Sequence, residues 1–159
     1  MPVDENTYRD LTPELKLKLF SSEARTCITS IVGYSQVLKL EVQKLELQDS
    51  LLSDFREYLE ALDRISDRFV KFLMEINDPP ENEWYSKAKP HEMVAMLLND
   101  AYNPISAIKD YSALLEFEIQ KPELQHHLAS TIMSDVQGMQ IAAERLYKTR
   151  QALLNSLDG

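Results

Sequence analysis

The apolar pattern of the chain is helical almost throughout. Leu17, Ser21, Ala24, Ile28, Ile31, Ser35, Leu38, Val42 and Leu45 recur at alternating steps of four and three. The same rhythm runs through Leu52, Phe55, Leu59, Leu62, Ser66, Phe69, Leu73 and Ile76, and again through Val94, Leu98, Ala101, Ile105, Ile108, Ser112, Leu115 and Ile119. A fourth, shorter stripe is Ala129, Ile132, Val136, Met139, Ala143 and Leu146. A seam that repeats about every 3.5 residues packs helices at a shallow angle, as in four-helix bundles. The breakers agree with this reading. Thr12-Pro13-Glu14 reads as an N-cap, a proline in the first turn and a carboxylate on the helix dipole. Lys89-Pro90 and Lys121-Pro122-Glu123 place proline similarly, though Lys is a poor cap, and Asn77-Asp78-Pro79-Pro80 stops a helix. The pattern predicts helices over 13–46, 53–76, 91–120 and 122–156, with 77–90 as the longest linker. The predicted fold is all-α: an antiparallel four-helix bundle, one domain over 1–159, made of two tandem αα-hairpins (13–76 and 91–156). A lone hairpin cannot cover its own seam, so the halves should pack on each other.

The second hairpin repeats the first. Aligning Ala24–Val42 with Ala101–Ile119, a shift of 77, gives seven identities in nineteen positions, including Tyr34/Tyr111 and Ser35/Ser112. Composition narrows the function classes. With 3 glycines in 159 residues, a turn-rich β-sandwich and a glycine-rich phosphate loop are poor fits. Lys and Arg number 17 against 26 Asp and Glu, a formal net charge of −9, which repels nucleic acid and anionic lipid. A single cysteine, Cys27, excludes an intrachain disulfide and a cysteine-rich zinc site. No apolar run approaches the roughly 20 residues of a membrane span. The acidic start, Met1-Pro2-Val3-Asp4-Glu5, does not read as a signal peptide, so a cytoplasmic location is expected. No metal or other cofactor is expected.

The segment Ser21-Ser22-Glu23-Ala24-Arg25-Thr26-Cys27-Ile28, followed by Ile31-Val32-Gly33-Tyr34, resembles the H-box helix of sensor histidine kinases. That family's pattern reads Ser-His-Glu-Leu-Arg-Thr-Pro-Leu, then Ile-x-Gly-Tyr; Glu23, Arg25, Thr26, Gly33 and Tyr34 fit it. The second copy, Leu98-Asn99-Asp100-Ala101-Tyr102-Asn103-Pro104-Ile105, is more diverged but keeps the acid, the proline and Tyr111. The resemblance implies a dimerisation and histidine phosphotransfer bundle, here as an intrachain pseudodimer of two unequal hairpins. The phosphoacceptor histidine falls on Ser22 and Asn99, and neither side chain offers an imidazole nitrogen. Without that histidine, a nucleotide-binding glycine motif or an ATP-binding domain after residue 159, no autokinase activity is expected.

Two constellations remain. Glu23 and Thr26, like Asp100 and Asn103, are three apart and share a helix face beside the seam. In the kinase family the acid assists proton transfer, and the Thr or Asn helps hydrolyse the receiver's aspartyl phosphate. The acid-x-x-Asn pair is also similar to stand-alone receiver phosphatases of chemotaxis, whose amide orients a water. The commoner meaning of such spacings is a solvated helical face. His126 and His127 point about 100° apart and cannot chelate one ion together. His91 is a candidate displaced phosphoacceptor, with a solvated surface histidine as the plainer reading. Cys27, at the position of Pro104, is expected to be half-buried, with Arg25 pointing away from it. Trp84 and Tyr85 read as a partner hot spot or, more simply, a lid on the bundle; Met74, Met93, Met96, Met133 and Met139 read as core gap fillers.

Three functions are open. The first is a non-catalytic two-component module that binds a receiver domain or a histidine kinase, as adaptor or competitor, through Glu23, Arg25, Thr26, Asp100, Tyr102 and Asn103. The second is a phosphatase of phosphorylated receivers using the acid-x-x-Asn/Thr pairs. The third is a purely structural bundle. Either a monomer or a homodimer fits.

Overall fold

The computed structural model is described over residues 4–45, 49–77, 89–125, 128 and 130–157. All regular structure among them is α-helical: α1 (Glu5–Arg9), α2 (Pro13–Gln43), α3 (Asp49–Asn77), α4 (Pro90–Ile119), α5 (Pro122–Gln125) and α6 (Ser130–Ser156). The long helices start where the sequence chemistry says. Thr12 Oγ1 accepts the Leu15 N–H at 3.3 Å ahead of Pro13. Lys89 cannot cap with its side chain; instead the Glu92 carboxylate accepts the Lys89 N–H at 3.3 Å.

The helices differ from the pattern by more than one residue in four places. α2 stops at Gln43, closed by a tight turn in which the Lys44 N–H reaches Glu41 O at 3.2 Å. α3 begins at Asp49, because the helix needs a starting turn before its first seam residue, Leu52. The segment 122–156 is two helices, α5 and α6, and the four-and-three rhythm belongs to α6 alone. α1 was not legible from periodicity: five residues with one buried side chain, Tyr8, capped by Asp4 on the Thr7 N–H at 3.0 Å.

The seam positions are the core. Every described member of the four stripes is buried except Leu45, which is half-buried. α2 packs on α3 and on α6, α4 packs on the same two helices, and α1 packs on α6. Burying each large aliphatic or aromatic side chain is worth about 1.5–3 kcal/mol, and Phe20, Phe55 and Phe69 are buried together with Ile28, Ile31, Leu38 and Leu62. Seam serines are satisfied in different ways: Ser35 Oγ donates to Asp63 at 2.7 Å, and Asp63 also pairs with Lys39, while Ser112 Oγ donates to its own helix at Ile108 O, 2.8 Å. The methionine expectation holds for Met139, Met93 and Met133, which lie in the core or against it, and fails for Met74 and Met96. Met139 is buried, Met93 and Met133 are half-buried, and Met74 and Met96 are 56% and 38% exposed. Met74 and Met96 lie off the seam, where a flexible side chain has no gap to fill. Among the described residues, no helix is long and apolar enough to cross a membrane.

Candidate functional site

Helical geometry turns Ala24, Cys27 and Ile28 of α2 inward and leaves Ser22, Arg25 and Thr26 exposed, with Glu23 half-buried between them. On α4, Ala101 and Ile105 are buried while Asn99, Asp100, Tyr102 and Asn103 are exposed. The two copies thus present corresponding faces, but their surroundings differ.

In the first copy, Glu23 is engaged. Its carboxylate accepts from Arg145 of α6 at 2.9 Å. The Thr26 hydroxyl donates to its own helix at Ser22 O, 3.1 Å, and Ser30 donates to Thr26 O at 3.2 Å. Cys27 is buried rather than half-buried, because the side chain lies on the α2 face against the core. Burial pushes its thiol pKa up, against the pull of the Arg145 guanidinium and with help from Glu23. Tyr8 of α1 is buried beside them; burial, and then Glu23 and Cys27, raise its pKa. Along the outer side of α2, Lys18, Ser22, Arg25, Thr26 and Thr29 line a polar groove.

In the second copy, the acid is unengaged. A groove of about 350 Å³ lies between α3 and α4, lined by Ile65, Arg68, Phe69, Phe72, Asp100, Asn103, Pro104 and Ala107. Arg68 stands 77 positions before Arg145, as Glu23 does before Asp100. The ion pair of the first copy therefore has both its counterparts on the rim of this groove, where no ion pair joins them. Tyr102 is fixed from the other side: the Arg150 guanidinium sits 4.8 Å from its ring centroid. Arg150 is itself buried, donates Nε to Leu98 O at 2.7 Å, and has its pKa lowered by desolvation, with Tyr102 opposing.

The geometry thus brings Asp100 and Asn103 together on one apolar-walled groove and ties Glu23 into an inter-helix ion pair, with Thr26 bonded to its own backbone. Ser22 and Asn99 are both on accessible mid-helix surface and carry no group that forms a stable phosphoramidate. His91 is exposed at the start of α4, two turns before Asn99. His126, His127, Trp84 and Tyr85 lie outside the described residues. Sequence reasoning missed Arg68, Arg145, Arg150 and Tyr8. The shared 77-residue spacing of the first two was readable; the seam position of Arg150, where the first copy has Leu73, pointed only to an apolar residue. Among the described residues, no three His, Cys, Asp or Glu side chains converge as metal ligands. No family model, no curated protein and no solved structure matches the chain.

Proposed function

We propose that the chain is a non-catalytic two-component signalling module: an antiparallel four-helix bundle of two tandem hairpins, an intrachain pseudodimer that binds a receiver domain or a kinase hairpin. The observation that carries this reading is the matched exposure of the two H-box-like faces. Ser22, Arg25 and Thr26 on α2, and Asn99, Tyr102 and Asn103 on α4, all face solvent on helices whose opposite sides are core. The packing pattern supports the pseudodimer. α2 and α4, the two H-box-like helices, each lie against both α3 and α6, as two facing hairpins require. Docking on such a face needs shape and charge but no phosphoacceptor, and an acidic bundle with exposed Arg25 and Arg68 offers both signs at the rim. Calorimetric titration against the receiver and kinase domains of the source organism tests the reading. Saturable binding weakened at least tenfold by Asn99→Arg is expected; absence of binding to every one of them overturns it.

A second reading has one specific observation in its favour. Asp100 and Asn103 share the α3–α4 groove and are not tied up by neighbouring side chains. An amide and a carboxylate so placed can orient a water against an acyl phosphate. Loss of label from a phosphorylated receiver, compared for the native chain and Asn103→Ala, decides it: equal rates remove the phosphatase.

A further inference from the structure

The two copies of the repeat present the same face in two states. Between α2 and α6 the inner side of the face, around Cys27, is covered, while Ser22, Arg25 and Thr26 stay exposed along its outer side. α1 packs on α6, and Tyr8 is 0% exposed, with its pKa raised by burial and then by Glu23 and Cys27. Among the described residues, the corresponding face between α3 and α4 is an open groove. Side-chain size accounts for the difference. Where α3 has Ile65, Phe69 and Phe72, α6 has Ala142, Leu146 and Thr149 at the same register. The smaller set leaves room for a tyrosine ring; the larger set builds walls of its own.

The Tyr8 seat is an imperfect one. The hydroxyl is buried with no hydrogen-bond partner, beside a carboxylate. A buried unpaired donor forfeits its bond to water and weakens the contact it sits in. α1 has only five residues and one buried side chain to hold it down.

We propose that α1 is a displaceable plug that closes the groove beside Cys27 in the first copy, so that a receiver domain docks in the α3–α4 groove alone, one per chain. The partner in this statement rests on the receiver-binding reading above; the plug does not. The sequence repeats the plug's tyrosine once. Tyr85 stands 77 positions after Tyr8 and five before Pro90, as Tyr8 stands five before Pro13, and it lies outside the described residues. The test therefore includes it.

Cys27 is the reporter. Its counterpart, Pro104, lines the open groove and is only half-buried, so Cys27 should become reachable when α1 leaves. Labelling with Ellman's reagent is compared for the native chain, Tyr8→Ala and a chain lacking residues 1–11. At least tenfold faster labelling is expected at undiminished helical circular dichroism, with protection restored to the shortened chain by a synthetic peptide of residues 1–12. Unchanged labelling, no protection by the peptide, or loss of helix in both variants overturns the plug. In the second arm, calorimetry with a receiver domain should give one site on the native chain and two on the shortened one. Two sites on the native chain, one on both, or a site that opens only with Tyr85→Ala overturns one-sided docking. A receiver that binds neither form sinks the receiver reading, while the thiol and peptide results still decide the plug.

Discussion

Tyr8 concentrates two opposing effects in one side chain. Its ring fills a site against α6, while its hydroxyl is buried without a partner. Leaving such a group unsatisfied costs about 1–3 kcal/mol, so removing the oxygen and keeping the ring should stabilise the protein. Tyr8→Phe is expected to raise the melting temperature by about 2–4 °C, roughly 1 kcal/mol for a chain of this size; a fall would mean that the hydroxyl is bonded. The same group sets a pH dependence. The folded-state pKa of Tyr8 is raised above the ordinary tyrosine value of about 10 by burial, then by Glu23 and Cys27. Above pH 10 the unfolded chain gives up this proton and the folded chain keeps it, so the folded state binds more protons and stability falls as pH rises. Tyr58, raised mainly by desolvation, and Lys121, raised mainly by its hydrogen bond to Glu118, act in the same direction. Denaturation midpoints measured from pH 9 to pH 11.5 should decline, and Tyr8→Phe should flatten the decline. Equal slopes in the two proteins would remove Tyr8 as its source.

Helices of this bundle contain two interior glycines in opposite situations. A Cβ added at Gly33 of α2 meets nothing within 4 Å, whereas one at Gly138 of α6 falls 2.5 Å from Tyr34 Cζ. Alanine is favoured over glycine inside a helix by about 0.5–1 kcal/mol. Gly33→Ala should therefore stabilise by about that amount, and Gly138→Ala should destabilise, because the Tyr34 ring must move off α6. Thermal melts of the two variants, run side by side, should shift in opposite directions. Gly33 also shows how far the sequence could be read at this scale. It fits the H-box pattern, yet its surroundings in this chain do not demand a glycine, while Gly138, in no motif, is the one wedged against a neighbour. Seam residues such as Ile28, Phe55, Ile105 and Val136 were legible because a four-and-three rhythm has one structural solution. α1 was not, since one tyrosine makes no period, although Asp4 ahead of Glu5 and Thr7 carried a cap signal. At the site, exposure of Ser22, Asn99, Asp100 and Asn103 followed from their position beside the seam. The capture of Glu23 by Arg145 did not, because it joins residues 122 positions apart.

Across the whole molecule, the contacts that close the bundle run between the hairpins: α2 against α6 and α3 against α4. Each hairpin alone leaves half of its seam in water. A nick in the segment 78–88 should thus leave two fragments, 1–79 and 80–159, that are poorly helical apart and regain a cooperative melt when mixed. The side chains further predict that the mixed pair is preferred over either fragment with itself. In a dimer of 1–79, α3 of one copy would take the place of α6 against α2, and Ala61 would stand where Gly138 now accommodates the Tyr34 ring. The Cβ of that alanine falls where the ring is, so Tyr34 would have to leave its site, in both halves at once. The reverse dimer, of 80–159, would set α4 against α6 twice and lose the Glu23–Arg145 pair that joins the two hairpins. Analytical ultracentrifugation of the fragments, alone and at equal molar ratio, is expected to show the one-to-one pair at concentrations where each fragment alone is unfolded or only weakly associated. Homodimers of 1–79 as stable as the mixed pair would show that Tyr34 repacks without cost, and that the inequality of the two hairpins does not direct their pairing.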